Sequence, residues 1–227
     1  MISTRCLLFI VVFLAACSSK SLPYENGPVM SQKSIRKTFR PILDFMEYKP
    51  GMTVADVGAG SGALTVMMAA LMDQSTVYVQ DIDTVVLTKK NLDKIIEYYS
   101  KQTGQNLAQK NKFIISIGES KQTNLPNATF DLIYSNATVH NFTSLDLMLT
   151  DLGEKLKPDG VLYIRDSFKN DHGEGEFCSD PKCKRPLLTI DEFLTAMNRN
   201  GFKMIKRSPD MSGYPVFGFT FSNQIPE

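Results

Sequence analysis

The chain has 227 residues, 43% hydrophobic and 22% charged. This is enough apolar material for the core of one α/β domain and too much for a disordered chain. The net charge of +1 carries no long basic or acidic run, which argues against a nucleic-acid binder, and the short cluster Lys182, Lys184, Arg185 reads as a solvated loop. With only two histidines, His140 and His172, and four cysteines, little is available for a metal centre, and none is expected.

Residues 1 to 17 start with a short basic region and continue as an apolar run, Cys6 to Ala16, too short to cross a bilayer comfortably. Leu14-Ala15-Ala16-Cys17 resembles a bacterial lipobox. That resemblance implies cleavage before Cys17, lipid on the cysteine and, with Ser18 next to it, transport to the outer membrane. An ordinary cleaved signal peptide and an uncleaved anchor helix are the alternatives. Several acyl chains would anchor the chain stably. Residues 18–29 contain Pro23, Gly27 and Pro28 and read as a tether, placing the globular part at 30–227.

From residue 31 the elements alternate. Apolar positions Ile35, Phe39, Ile42 and Met46 predict a helix over 31–48, broken or kinked at Pro41. A strand follows at 53–58, a helix at 62–72, a second strand at 76–82 and a helix from Asp83 to about Lys101, with Asp83 as its cap. After a polar loop, 102–111, strands are expected at 113–117 and 130–135, a helix at 145–156 and a fifth strand at 161–165. The turn Lys157-Pro158-Asp159-Gly160 separates that helix from that strand. Thr189 and Glu192 form a capping-box pattern for a helix ending at Gly201, and strands at 202–206 and 214–221 close the chain. Alternation predicts a Rossmann-like, doubly wound, seven-stranded sheet, mostly parallel, with the last two strands as an antiparallel hairpin.

Between the first strand and its helix the sequence reads Asp56-Val-Gly58-Ala59-Gly60-Ser-Gly62. Glycines there permit a tight turn and close approach of a ligand. Gly58-x-Gly60-x-x-Ala63 also meets a loose dinucleotide fingerprint. Asp56 argues against that, because a carboxylate beside the loop repels pyrophosphate and suits a ligand with positive charge. The segment closely resembles the first motif of class I S-adenosylmethionine-dependent methyltransferases. The resemblance extends over residues 31–222 and implies S-adenosyl-L-methionine as cofactor.

The remaining candidates lie in the same order as that family's motifs. Asp81, at the end of the second strand, is placed to accept from ribose hydroxyls, with Ile82 against the adenine; a solvated strand-end acid is the plainer alternative. Gly118-Glu119-Ser120 resembles the Gly-Asp-Ala element whose acid accepts from the adenine amino group, with Glu for Asp and Ser for Ala. Asn136, in Ser135 to Asn141, falls where the family lines the methionine end and the substrate pocket. The segment lacks the Asn-Pro-Pro-Tyr signature of nucleobase amine methylation. His140 is a candidate general base, or a histidine packed in the loop, and Asp166 a candidate substrate contact. The long polar insertion 167–188 reads as a lid. Its Cys178 and Cys183 suggest a disulfide more than a zinc site with His172.

The expected function is methyl transfer from S-adenosylmethionine to a small molecule, by an enzyme lipid-anchored in the bacterial envelope. The residues do not select between this and a non-catalytic envelope lipoprotein that binds the cofactor. A dinucleotide-dependent oxidoreductase is the distant alternative. The cofactor is made in the cytosol and the lipobox points outward, so an envelope enzyme needs an exported or host-derived supply.

Overall fold

The computed structural model describes residues 29–169, 186–211 and 214–222. The signal-like segment, the tether up to residue 28, His172 and both insertion cysteines lie outside the described residues.

The first helix, α1 (Gln32–Phe45), begins where the Ser31 hydroxyl accepts from Ser34 N–H at 3.2 Å. It runs through Pro41 unbroken, burying Ile35, Phe39, Ile42 and Leu43. Then come β1 (Thr53–Val57), α2 (Ala63–Ala69), β2 (Thr76–Asp81) and α3 (Lys89–Thr103). The helix expected from Asp83 starts six residues later. Asp83 Oδ1 accepts from Val85 and Val86 N–H and so caps a separate turn, while the Thr88 side chain caps α3. One further helical turn, α4 (Leu107–Lys110), sits in the stretch expected to be loop, held by the Asn106 side chain and by burial of Leu107.

The chain continues through β3 (Lys112–Ile117), β4 (Phe130–Asn136), α5 (Leu145–Lys155) and β5 (Leu156–Arg165). The Lys157-Pro158-Asp159-Gly160 segment does not stand between helix and strand as expected. It is an excursion inside β5, with Leu156 pairing Phe130 before it and Val161 pairing Leu132 after it. Last are α6 (Ile190–Arg199), opened by a complete capping box from Thr189 and Glu192, then β6 (Phe202–Arg207) and β7 (Val216–Phe221).

The seven strands run in the order β3-β2-β1-β4-β5-β7-β6. The first five are parallel, and β7 is antiparallel to both neighbours. Two apolar layers sandwich the sheet. Side chains of α1 to α3 meet Val54, Val79, Leu132 and Tyr163 on one face, and those of α5 and α6 meet Ala55, Ile133, Leu162 and Ile164 on the other. Strand order reverses between β1 and β4, so their carboxyl ends open a crevice, the place where doubly wound folds bind ligands.

Candidate active site

The crevice holds two hollows that share Gly58 and Ala137 in their walls. The first, about 290 Å³, is lined by Asp56, the loop Gly58–Ser61, Tyr134, Asn136 and Arg165. Met30, Thr38, Phe39 and Ile42, around and on α1, close it. The second, about 320 Å³, is lined by Asp81, Ile82, Glu119, Ser120, Thr138 and Asn141. Nine of the cofactor candidates read from the sequence therefore stand around one crevice: Asp56, Gly58, Ala59, Gly60 and Asn136 by the first hollow, and Asp81, Ile82, Glu119 and Ser120 by the second.

The glycine loop is held from within. Gly58 and Ala59 N–H both donate to the Gln80 carbonyl at 2.9 Å, Gly62 N–H donates to the Ala59 carbonyl at 2.9 Å, and Gly60 N–H donates to Asp81 Oδ2 at 2.7 Å. A pyrophosphate cradle needs such N–H groups pointing at the ligand. Here these four are spent, and two carboxylates stand beside them. A Cβ on Gly60 would meet nothing within 4 Å, so the bare backbone opens onto the crevice. Gly58 has its missing side chain filled by Thr138, whose hydroxyl donates to the Gly58 carbonyl at 3.2 Å.

Asp56 is buried, and Thr65 donates its hydroxyl to Oδ2 at 2.5 Å. Burial, helped by the nearby charge of Asp81 and opposed by the Thr65 bond, pushes its carboxyl up to about 6. Asp81 is half-exposed; its other oxygen accepts from Asp83 N–H at 2.9 Å, leaving lone pairs toward the crevice. Glu119 is exposed on the second hollow's wall, and Ile82 is 58% exposed there. Ala137, with φ at +53°, turns the chain between the two hollows.

Three sequence candidates stand outside the crevice lining. Gly62, at φ +82°, leaves room for Val79 and Leu92, so it serves packing rather than ligand approach. His140 and Asp166 face each other on the α5 side of the sheet. Asp166, 2% exposed, accepts from the His140 backbone at 3.0 Å, from Ser167 N–H at 2.7 Å and pairs with His140 Nδ1. It braces the loop that follows β4. His140 Nε2 faces the Asn141 amide at 3.1 Å. The two described ends of the 167–188 insertion meet where Lys169 N–H donates to the Leu188 carbonyl at 3.0 Å.

Sequence reasoning missed Arg165, Tyr134, Thr65 and the α1 wall. One signal was present: strand alternation puts Arg165 opposite in facing to Asp166 and level with Asn136, its register partner. Asn136 Oδ1 accepts from Arg165 Nη1 at 2.8 Å and from the Tyr134 hydroxyl at 3.3 Å. Arg165 Nη2 also donates to the Met211 carbonyl at 2.8 Å.

The family model for the methyltransferase domain matches residues 31–207. The chain belongs to the methyltransferase domain family. S-adenosylmethionine is the cofactor that this membership and the fold assign to it. The chain is similar, at 25% identity over 83% of its length, to an arsenite methyltransferase of Aquipseudomonas alcaligenes, covering 56% of that protein. It is 25% identical over 76% of its length to phosphoethanolamine N-methyltransferase 3 of Arabidopsis thaliana, covering 31% of that protein. It thus spans about a third to just over half the length of these relatives. Among solved structures, a SAM-dependent methyltransferase from Aquifex aeolicus superposes with a TM-score of 0.59 at 19% identity, over 84% of this chain and 97% of that one. The [4+2]-cyclase SpnF shares the fold at a TM-score of 0.60 and 18% identity, over 83% and 64%.

The residues present fit the cofactor. Open backbone at Gly60 admits close approach, acids Asp81 and Glu119 suit a ribose and an exocyclic amine, and Asp56 suits a cation.

Proposed function

We propose that the chain transfers a methyl group from S-adenosylmethionine to a small molecule, and that lipid on Cys17 holds it in the bacterial envelope. One observation supports the cofactor's mode of binding above the others: a glycine loop in which the N–H groups of Gly58, Ala59, Gly60 and Gly62 are satisfied internally, flanked by the carboxylates of Asp56 and Asp81. The loop is built for a ligand with positive charge and no phosphate. The cofactor, when bound, supplies an electrophilic methyl on a sulfonium. Asp81 and Glu119 would hold its adenosine end, and Asp56, Gly58, Ala59 and Gly60 its amino-acid end, with Asn136 beyond them toward the acceptor. Thr38, Phe39 and Ile42 of α1 would exclude water from the reacting atoms.

Displacement at a sulfonium methyl asks mainly for alignment, and a base only where the acceptor carries a proton. The crevice lining contains no histidine or lysine among the described residues. This favours an acceptor that presents a lone pair without needing a dedicated base. It also supports, as a second reading, a domain that binds the cofactor without turnover.

Calorimetry of the purified full chain with S-adenosylmethionine and with NAD is the deciding experiment. Binding of the first alone is expected. No binding at millimolar cofactor sinks the proposal, and NAD binding replaces it with the oxidoreductase. Labelling cells with a radioactive fatty acid tests the anchor: the wild type takes label, and Cys17→Ser does not.

A further inference from the structure

The crevice is graded in charge across the sheet. Glu119 follows β3, Asp81 ends β2, Asp56 lies on β1, Asn136 ends β4 and Arg165 ends β5. Acids line the side assigned to the adenosine, and the lone cation in the lining of either hollow stands at the opposite end. Arg165 is two strand spacings, roughly 10 Å, from the β1 line that carries the glycine loop. That distance sets it beyond the loop, on the acceptor's side of the crevice.

Asn136 adds a directed donor. Arginine has no acceptor atom and a tyrosine hydroxyl beside it donates, so the Asn136 atom that receives both is the amide oxygen. Its Nδ2 is thereby turned the other way, and no described residue accepts from it. Arg165 is held in place by the Met211 carbonyl and by Tyr214, whose ring centre is 5.6 Å from the guanidinium carbon. Around this polar pair the wall is apolar: Met30, Phe39, Ile42 and Met67.

We propose that Arg165 and Asn136 form an oxyanion site for the methyl acceptor, which is a small molecule with an anionic group next to an apolar portion. The anion sits against the guanidinium and the Asn136 amide, and the apolar portion lies on the α1 wall. The inference rests on the cofactor reading above, because the bound cofactor supplies the floor against which the acceptor packs.

The test uses the full chain saturated with S-adenosylhomocysteine and two probes of equal shape, hexanoate and hexanamide, titrated by calorimetry. Hexanoate is expected to bind about tenfold more tightly, the scale of a hydrogen bond to a charged group. Arg165→Gln is expected to erase that preference, and Arg165→Lys to keep part of it, with affinity for S-adenosylhomocysteine unchanged in both. Equal or absent binding of the two probes to the wild type overturns the proposal, whatever the variants do. A loss of S-adenosylhomocysteine affinity in Arg165→Gln with no change in probe preference also overturns it, and gives the arginine to the cofactor's own carboxylate. Failure of the wild type to bind S-adenosylhomocysteine at all counts instead against the cofactor reading. Melting temperatures of both variants identify any that do not fold.

Discussion

Asp166 grips His140 at two points, taking the backbone N–H on Oδ2 at 3.0 Å and the imidazole Nδ1 on Oδ1. One buried carboxylate at the end of β5 thereby fixes the loop after β4. That loop supplies Ala137, Thr138 and Asn141 to the crevice. Geometry at the crevice therefore depends on a contact between two residues that do not line it.

Asp166→Asn replaces an acceptor by an amide whose N–H groups face two donors. A loss of about 3 kcal/mol in stability is expected, the upper range for leaving buried donors without an acceptor. The loosened loop should also weaken S-adenosylhomocysteine binding severalfold. Urea denaturation and calorimetry of the same preparation measure both.

Gly60→Ala and Gly58→Ala separate binding from folding. At Gly60 the new methyl meets open crevice and strains only a φ of +55°, so about 1 kcal/mol of stability is lost while cofactor affinity drops at least about tenfold. At Gly58 the methyl runs into the Thr138 side chain, and the cost to stability rises to roughly 2–4 kcal/mol. A smaller melting-temperature drop for Gly58→Ala than for Gly60→Ala contradicts this assignment.

Asp56 makes stability depend on pH with a definite sign. Its folded pKa of about 6 lies above the ordinary 3.8 because burial disfavours the carboxylate. The folded state binds the proton more tightly, so the group's contribution is full below about pH 4 and is lost as pH rises through about 6, by roughly 3 kcal/mol. Asp56→Asn removes this slope. Denaturation at pH 4.5 and 7.5 should show the variant gaining on the wild type at the higher pH.

Cofactor binding should move the opposite way. The ionised Asp56 attracts the cationic ligand, so affinity for S-adenosylhomocysteine, which keeps the ammonium, rises as pH increases through about 6. Asp56→Asn flattens that profile. Titrations from pH 5 to 8 check it, and a flat wild-type profile removes Asp56 from ligand recognition.

Thr65→Val isolates the hydrogen bond that keeps Asp56 ionisable. Its loss leaves a buried carboxylate without the donor at 2.5 Å, at a cost of about 1–3 kcal/mol above pH 6. It also moves the binding profile to higher pH. An unchanged profile would show that the ligand, not Thr65, sets the charge of Asp56.

Much of this molecule was determined by local sequence. The glycine loop between an apolar strand and a small-residue helix, the acids at 81 and 119 and the capping box at Thr189 depend on neighbours within a few residues, where backbone sterics and short hydrogen bonds decide. The sequence also carried the alternation that dictates a parallel sheet. Other features depend on which distant strands pair. Only the tertiary structure inserted β7 between β5 and β6, absorbed Lys157 to Gly160 into β5, buried Asp56 and set Asp166 behind His140. It alone brought Met30 and, from the first helix, Phe39 and Ile42 to a crevice that Arg165 closes from β5. The last of these juxtapositions joins residues more than 100 positions apart, and it forms because burying both faces of one sheet leaves its strand ends a single shared opening.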